Sequence, residues 1–268
     1  MLLDLIILVG AAVVAGVLVN WLSDELPALE ERMRDDGEEP APLPAERRLP
    51  PSLYGLIRRA ASPDYSAPKT AALWRYPLVE IVMVAIYLYA YSELSGWPHM
   101  PIVLAYLAFF ALVAVIDYEH KLVLNIVMLP AFVVAILEVI FSGRIGWPTA
   151  MIGYATAQII VMVFYLMGHV FLWIRNSVAG SKIRTVAFGF GDVTLATFCG
   201  LLIGFPSVVN MVILMILVGF VSSIIFVFGN ALFGGKGIAS AAIAYGPGIV
   251  IATGLILVSR SDWVWFIN

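Results

Sequence analysis

The apolar positions of this chain gather into eight runs, at residues 2–22, 76–94, 100–117, 123–141, 148–174, 192–204, 207–229 and roughly 241–259. A helix rises ~1.5 Å per residue, so about 20 apolar residues cross a hydrocarbon core ~30 Å thick. The pattern predicts an all-α polytopic membrane protein with about eight transmembrane helices. The run at 148–174 is longer than a span needs and should tilt or project beyond the membrane. The run from Asp192 is short, about 13 residues or about 20 Å. Either the stretch from Gly189 to Gly191 dips into the membrane or the bilayer thins there. Non-helical backbone at that depth is tolerated only under cover of protein or beside a water-filled cavity, so the short span itself points to a site.

Between the first and second runs the pattern reverses. Residues 23–75 are dominated by Glu, Asp, Arg and Pro, with Pro-rich patches at Pro40 to Pro44 and at Pro50-Pro51, which predicts a solvated, partly disordered loop. The expected organisation is a first helix over 1–22, a cytoplasmic loop over 23–75 and a seven-helix membrane core over 76–268. Within the loop, Leu53, Tyr54, Leu56 and Ile57 followed by Arg58-Arg59 form either an amphipathic turn on anionic headgroups or an ordinary loop segment. The first run carries Asp4 as its only early charge and is long enough to span, so it reads as a retained helix rather than a cleaved signal peptide.

Composition agrees with this architecture. Hydrophobic residues make up 62% of the chain and charged residues 12%, against roughly half and a quarter in soluble domains. A formal charge of -3 gives no reason to expect nucleic acid as a partner. The single cysteine, Cys199, lies in an apolar run, which excludes a disulfide framework and a cysteine metal site. Basic residues set the orientation. With eight spans, one face holds Arg32, Arg34, Arg47, Arg48, Arg58, Arg59, Lys69, Arg75, Lys121, Arg175, Lys182, Arg184 and Lys236, and the other only Arg144 and Arg260. The first face is therefore cytoplasmic, and Trp97, Trp147, Trp263 and Trp265 fall on the other as an interfacial belt.

Two carboxylates stand out against this apolar background. Asp117 closes the third run and Asp192 opens the sixth, which puts both at the cytoplasmic lip. An ionisable side chain in a membrane segment costs roughly 2.5 to 3.5 kcal/mol at the helix centre and is read as functional by default. Two carboxylates within a few Å share one proton and titrate together. The ionised member can then take a proton from water while the protonated one polarises a carbonyl, which is peptide hydrolysis without a covalent intermediate. No Gly-x-Ser-x-Gly or His-Glu-x-x-His is present, and His99, His120 and His169 lie on different segments. Paired acids and a short helix also describe an ion or proton pathway, although both acids lie at one lip and no inverted repeat is evident. An inactive accessory protein of a secretion system is a third reading, against which the two retained aspartates stand.

Gly189-Phe190-Gly191-Asp192 matches the Gly-x-Gly-Asp motif of the type IV prepilin peptidases, membrane aspartyl proteases that the chain resembles over nearly its whole length. Ile116-Asp117 through Asn125 matches their first-aspartate pattern, with Leu124 in place of the usual proline. Gly16 to Asn20 with Pro27, Trp74 to Glu80 and Tyr245 to Gly248 echo the family's start, second-helix entry and last helix. The resemblance implies catalytic Asp117 and Asp192, a site shaped by Gly189, Phe190, Gly191 and Asn125, and residence in the bacterial inner membrane in contact with lipid. It implies a prepilin-like protein substrate with a basic cytoplasmic leader cut after a glycine. Many relatives hold two Cys-x-x-Cys pairs in the first loop; this loop has no cysteine. No zinc is therefore implied, proteolysis needs no cofactor, and S-adenosylmethionine-dependent N-methylation of the new terminus carries over only as an option from bifunctional relatives.

Other polar residues have plainer readings beside functional ones. Glu30, Glu31, Asp35, Asp36, Glu38 and Glu39 form either a solvated charge run or an attractor for a basic leader. Glu80 is expected to anchor to Arg75, Glu138 to face either the site or a polar pocket, and Asn125 to cap a helix or to bond near Asp117. Gly234 to Gly237 lacks the spacing of a phosphate loop and reads as a turn.

Overall fold

The computed structural model describes residues 2–34, 52–61, 73–179, 189–233 and 245–259. Regular structure among them is entirely helical: α1 (Leu2–Arg34), α2 (Leu53–Ala61), α3 (Arg75–Leu94), α4 (Met100–His120), α5 (Asn125–Phe141), α6 (Trp147–Ala179), α7 (Phe190–Ile203), α8 (Ser207–Phe233) and α9 (Gly246–Val258). Each of the eight apolar runs becomes a helix, and α2 arises from the polar segment between the first two. Leu2–Glu30, Arg75–Leu94, Met100–His120 and Trp147–Ile174 are long and apolar enough to cross a membrane. This is a multi-pass membrane protein.

Two boundaries differ from expectation. The first helix does not end at residue 22 but continues through Pro27 to Arg34, because Asp24 and Glu25 find partners, described below, that keep the polar extension ordered. The stretch at Leu53 is a helix of 9 residues rather than an ordinary loop segment. The Pro-rich patches, Asp35 to Glu39 and Gly234 to Gly237 lie outside the described residues, as do Trp263 and Trp265.

The chain divides into two compact units, residues 1–127 and 128–268. In the first, α1, α3 and α4 pack together through buried Ala12, Ala15 and Val19 on α1, Met83 and Ala90 on α3, and Val103 and Phe110 on α4. Gly16 lets α1 approach α3 closely, since a Cβ there would stand 3.0 Å from the Glu80 Cα. The Tyr87 hydroxyl donates to the Leu104 carbonyl at 3.0 Å, joining α3 to α4.

In the second unit α7 is the central helix, packed on α6 and α9, and every residue from Leu195 to Ile203 is buried. Lipid tails offer no hydrophobic drive for helices to associate, so small residues that admit close backbone approach take its place. A Cβ on Gly200 would meet the Ala157 Cβ at 2.6 Å and the Gly153 carbonyl oxygen at 2.6 Å. Thr197 Oγ1 lies 2.7 Å from Gln158 Oε1 across the same interface. Replacing Gly200 by valine should overpack this contact at a cost of about 1–3 kcal/mol. Thermal unfolding in detergent should show a lowered midpoint for Gly200→Val, and an unchanged midpoint would contradict the packing described.

Candidate active site

Asp117 lies in the last turn of α4 and is buried, with 4% of its surface exposed. The helix stops just beyond it because Lys121 adopts a left-handed conformation (φ 54°, ψ 39°), its N–H donating to the Asp117 carbonyl at 2.8 Å. A non-glycine residue in that region costs roughly 1–2 kcal/mol, so surrounding contacts must hold the turn. Two such contacts flank Asp117. Tyr118 meets Trp74 edge-on at 6.2 Å, and Glu119 pairs with Arg75.

Arg75 is the hub of a buried network. One guanidinium nitrogen, Nη1, reaches Glu119 on α4 and the other, Nη2, reaches Asp24 on α1. The Asp24 carboxylate also accepts from the hydroxyls of Tyr54 at 3.0 Å and Tyr76 at 3.1 Å, while the two rings stack at 5.5 Å. Asn20 Nδ2 donates to the Tyr76 carbonyl at 3.0 Å. Glu80, expected to pair with Arg75, instead accepts the N–H groups of Leu53 at 2.9 Å and Tyr54 at 2.8 Å. Its carboxylate thus satisfies orphan donors at the N-terminus of α2, where the helix dipole favours negative charge. Arg58 pairs with Glu25 and ties the other end of α2 to α1.

Asp192 sits in the first turn of α7 and is half-buried. Its Oδ2 accepts the Gly189 N–H at 3.0 Å, while its own N–H donates to the Gly189 carbonyl at 3.2 Å. This reciprocal pair closes the helix start as a capping box does. Gly189 is extended (φ -84°, ψ 159°), and among the described residues a Cβ on it would meet Asp192 Oδ2 at 3.6 Å and the Gly191 backbone nitrogen at 3.9 Å, both ordinary contacts. Among the described residues, neither the backbone nor the packing demands a glycine there. Phe190 is exposed and lies edge-on to Tyr165 at 6.0 Å.

The remaining sequence candidates separate. Asn125 is exposed at the start of α5. Glu30 belongs to α1 and its carboxylate reaches the Ile126 N–H at 3.4 Å, so it is no mere member of a solvated charge run. Glu138 is buried in a fork with Arg144, 2.7 Å from Nε and 2.9 Å from Nη2, and accepts the Ser142 hydroxyl at 2.7 Å. Arg144 also donates to the Leu202 carbonyl at 2.9 Å. Leu202 is at the far end of α7 from Asp192, about 15 Å along the axis, so Glu138 serves the packing of its own unit rather than the chemistry of Asp192. His169 caps no ligand set; Nδ1 lies 3.0 Å from the Tyr165 carbonyl on its own helix. Among the described residues no group of three His, Cys, Asp or Glu could hold a metal ion.

Sequence reasoning missed Asp24 and Glu119. The signal available for them was placement: each is an acid at the polar end of an apolar run, as Asp117 is, with Arg75 opening the next run as a counter-charge. The sequence model of the type IV leader peptidase family matches residues 104–235, a segment that contains Asp117, Asn125 and Gly189 to Asp192. No curated protein and no solved structure matches the chain.

Glu80→Ala should remove two charge-assisted bonds and loosen α2 by about 1–3 kcal/mol, read as faster amide hydrogen exchange over residues 53–61; unchanged exchange would contradict the cap. Glu138→Ala strands a buried guanidinium and should cost about 3–5 kcal/mol, read as a lowered unfolding midpoint, whereas a wild-type midpoint would show the pair to be dispensable.

Proposed function

We propose, from the match of residues 104–235 to the type IV leader peptidase family, that this chain is an aspartic endopeptidase that removes the basic leader from prepilin-like proteins at the cytoplasmic face of the bacterial inner membrane. Asp117 and Asp192 share one proton. The ionised carboxylate takes a proton from a water molecule as that water attacks the scissile carbonyl carbon, and the protonated one donates a hydrogen bond to the carbonyl oxygen. Collapse of the tetrahedral intermediate breaks the C–N bond, and the departing amine takes up the proton held by the pair.

The observation that carries this reading is that the matched segment encloses both acids, each in a terminal turn of an apolar helix, α4 for Asp117 and α7 for Asp192. With the eight spans that the apolar runs predict, both turns would lie on the basic, cytoplasmic side, where a leader would wait while its following helix stays in the bilayer. Gly189 supports an extended approach of substrate: its backbone is already strand-like and no described neighbour fills the place of its missing side chain, so the space it leaves suits a substrate strand pairing beside Asp192. Asn125 and Phe190 border these turns and are assigned to site shaping. The acids of the first loop would attract the basic leader. The proposal is confined to hydrolysis and draws on no cofactor.

The test is cleavage of a prepilin-like substrate by the purified full chain. Wild type should release the leader, and Asp117→Asn and Asp192→Asn should each lose about 10²–10⁴-fold in rate, the usual worth of a general acid or base, with unchanged unfolding midpoints. Full-rate cleavage by either variant overturns the assignment. No cleavage by a folded wild type would favour the transporter or accessory reading.

A further inference from the structure

We propose that Arg75 is a positioning residue for Asp117, holding the C-terminal turn of α4 by bridging Glu119 to Asp24 of α1. The proposal rests on the reading of Asp117 as a catalytic carboxylate, but its physical core is a statement about that turn alone. The matched family segment begins at residue 104 and so leaves Asp24 and Arg75 unassigned.

The last turn of a helix lacks onward hydrogen bonds for its carbonyls and tends to fray. Here the turn carries Asp117, Tyr118 and Glu119 and ends on the strained Lys121. Its order must come from outside the helix. The side chain of Glu119 is 1% exposed, that of Asp24 1% and that of Arg75 5%, so the charges compensate one another with little help from water. Among the described residues two acids face this one base, and the hydroxyls of Tyr54 and Tyr76 supply further donors to Asp24. This leaves Nη1 of Arg75 committed to Glu119, two residues from Asp117.

The geometry needs an arginine. Separate nitrogens of one planar fork serve carboxylates on two helices, whereas a lysine ammonium is a single point charge on a flexible stem and cannot reproduce that span. The guanidinium is further fixed by lying over the Tyr76 ring, 4.3 Å from its centroid. Arg75 therefore sets where the α4 turn stands relative to α1 and α3 without touching substrate. Loss of the bridge should displace Asp117, and a shift of ~1 Å in a reacting group costs up to about 10²-fold in rate.

The experiment uses the full chain in detergent, with Arg75→Lys, Arg75→Gln, Glu119→Gln and Asp117→Asn compared for kcat, KM, unfolding midpoint and amide exchange. Glu119→Gln keeps an acceptor for Nη1 and should retain near wild-type kcat. Both Arg75 variants should lose about 10²-fold in kcat with KM changed by no more than about twofold, and exchange should quicken over residues 116–122 while 103–112 stays protected. A lowered midpoint with wild-type kcat and wild-type exchange at 116–122 makes Arg75 merely structural and overturns the proposal, as does wild-type behaviour throughout. Failure of the functional reading looks different: Asp117→Asn would cleave normally, while the exchange result for Arg75 would still stand or fall by itself.

Discussion

The cost of withdrawing charge from water governs the polar architecture of this protein. A buried carboxylate or guanidinium costs several kcal/mol even after relaxation, and removal of one partner leaves the other stranded. The chain meets this constraint twice, with Arg75 between Asp24 and Glu119 in the first unit and Arg144 against Glu138 in the second. In each case the arginine also joins separate helices, so the charge compensation doubles as a fastening. Around the first cluster, α1 stays helical beyond its apolar run and α2 folds down onto α1 and α3. Without partners for Asp24, Glu25 and Glu80 neither feature has a reason to exist.

Apolar packing supplies the rest. Small residues at Gly16, Gly153 and Gly200 let backbones approach where lipid gives no hydrophobic incentive to associate. The short α7 follows from this, since a helix buried along Leu195 to Ile203 is covered by protein and need not match the bilayer by its own length. Asp192 then stands at the one polar end of an otherwise apolar central helix, engaged with the backbone of Gly189.

The helical fold was legible because long apolar runs have few other solutions, and each run did become a helix. The ends of those runs were harder to read. Residues 23–34 look like solvated loop by composition, and only the tertiary partners of Asp24 and Glu25 reveal why they continue α1. Glu80 was assigned to Arg75 on sequence proximity, but a carboxylate one turn into α3 is better placed to cap α2, a helix that composition left open between turn and loop. Asp117 and Asp192 were found through motif and helix-end position, and the structure adds the local bonds that orient each turn. Asp24 and Glu119 escaped notice because acids near a polar loop look ordinary until their burial is known.

The chemical account reduces to two carboxylates acting on one peptide bond, which requires them to come within a few Å of each other. The most direct measurement is a short thiol-reactive crosslink in native membranes, between cysteines introduced as Asp117→Cys and Asp192→Cys with Cys199→Ser removing the buried native thiol. A shared site predicts an intramolecular crosslink joining the two positions, formed faster than between either position and a control cysteine at the far end of α7. Efficient single labelling of both thiols with no crosslink between them would contradict it.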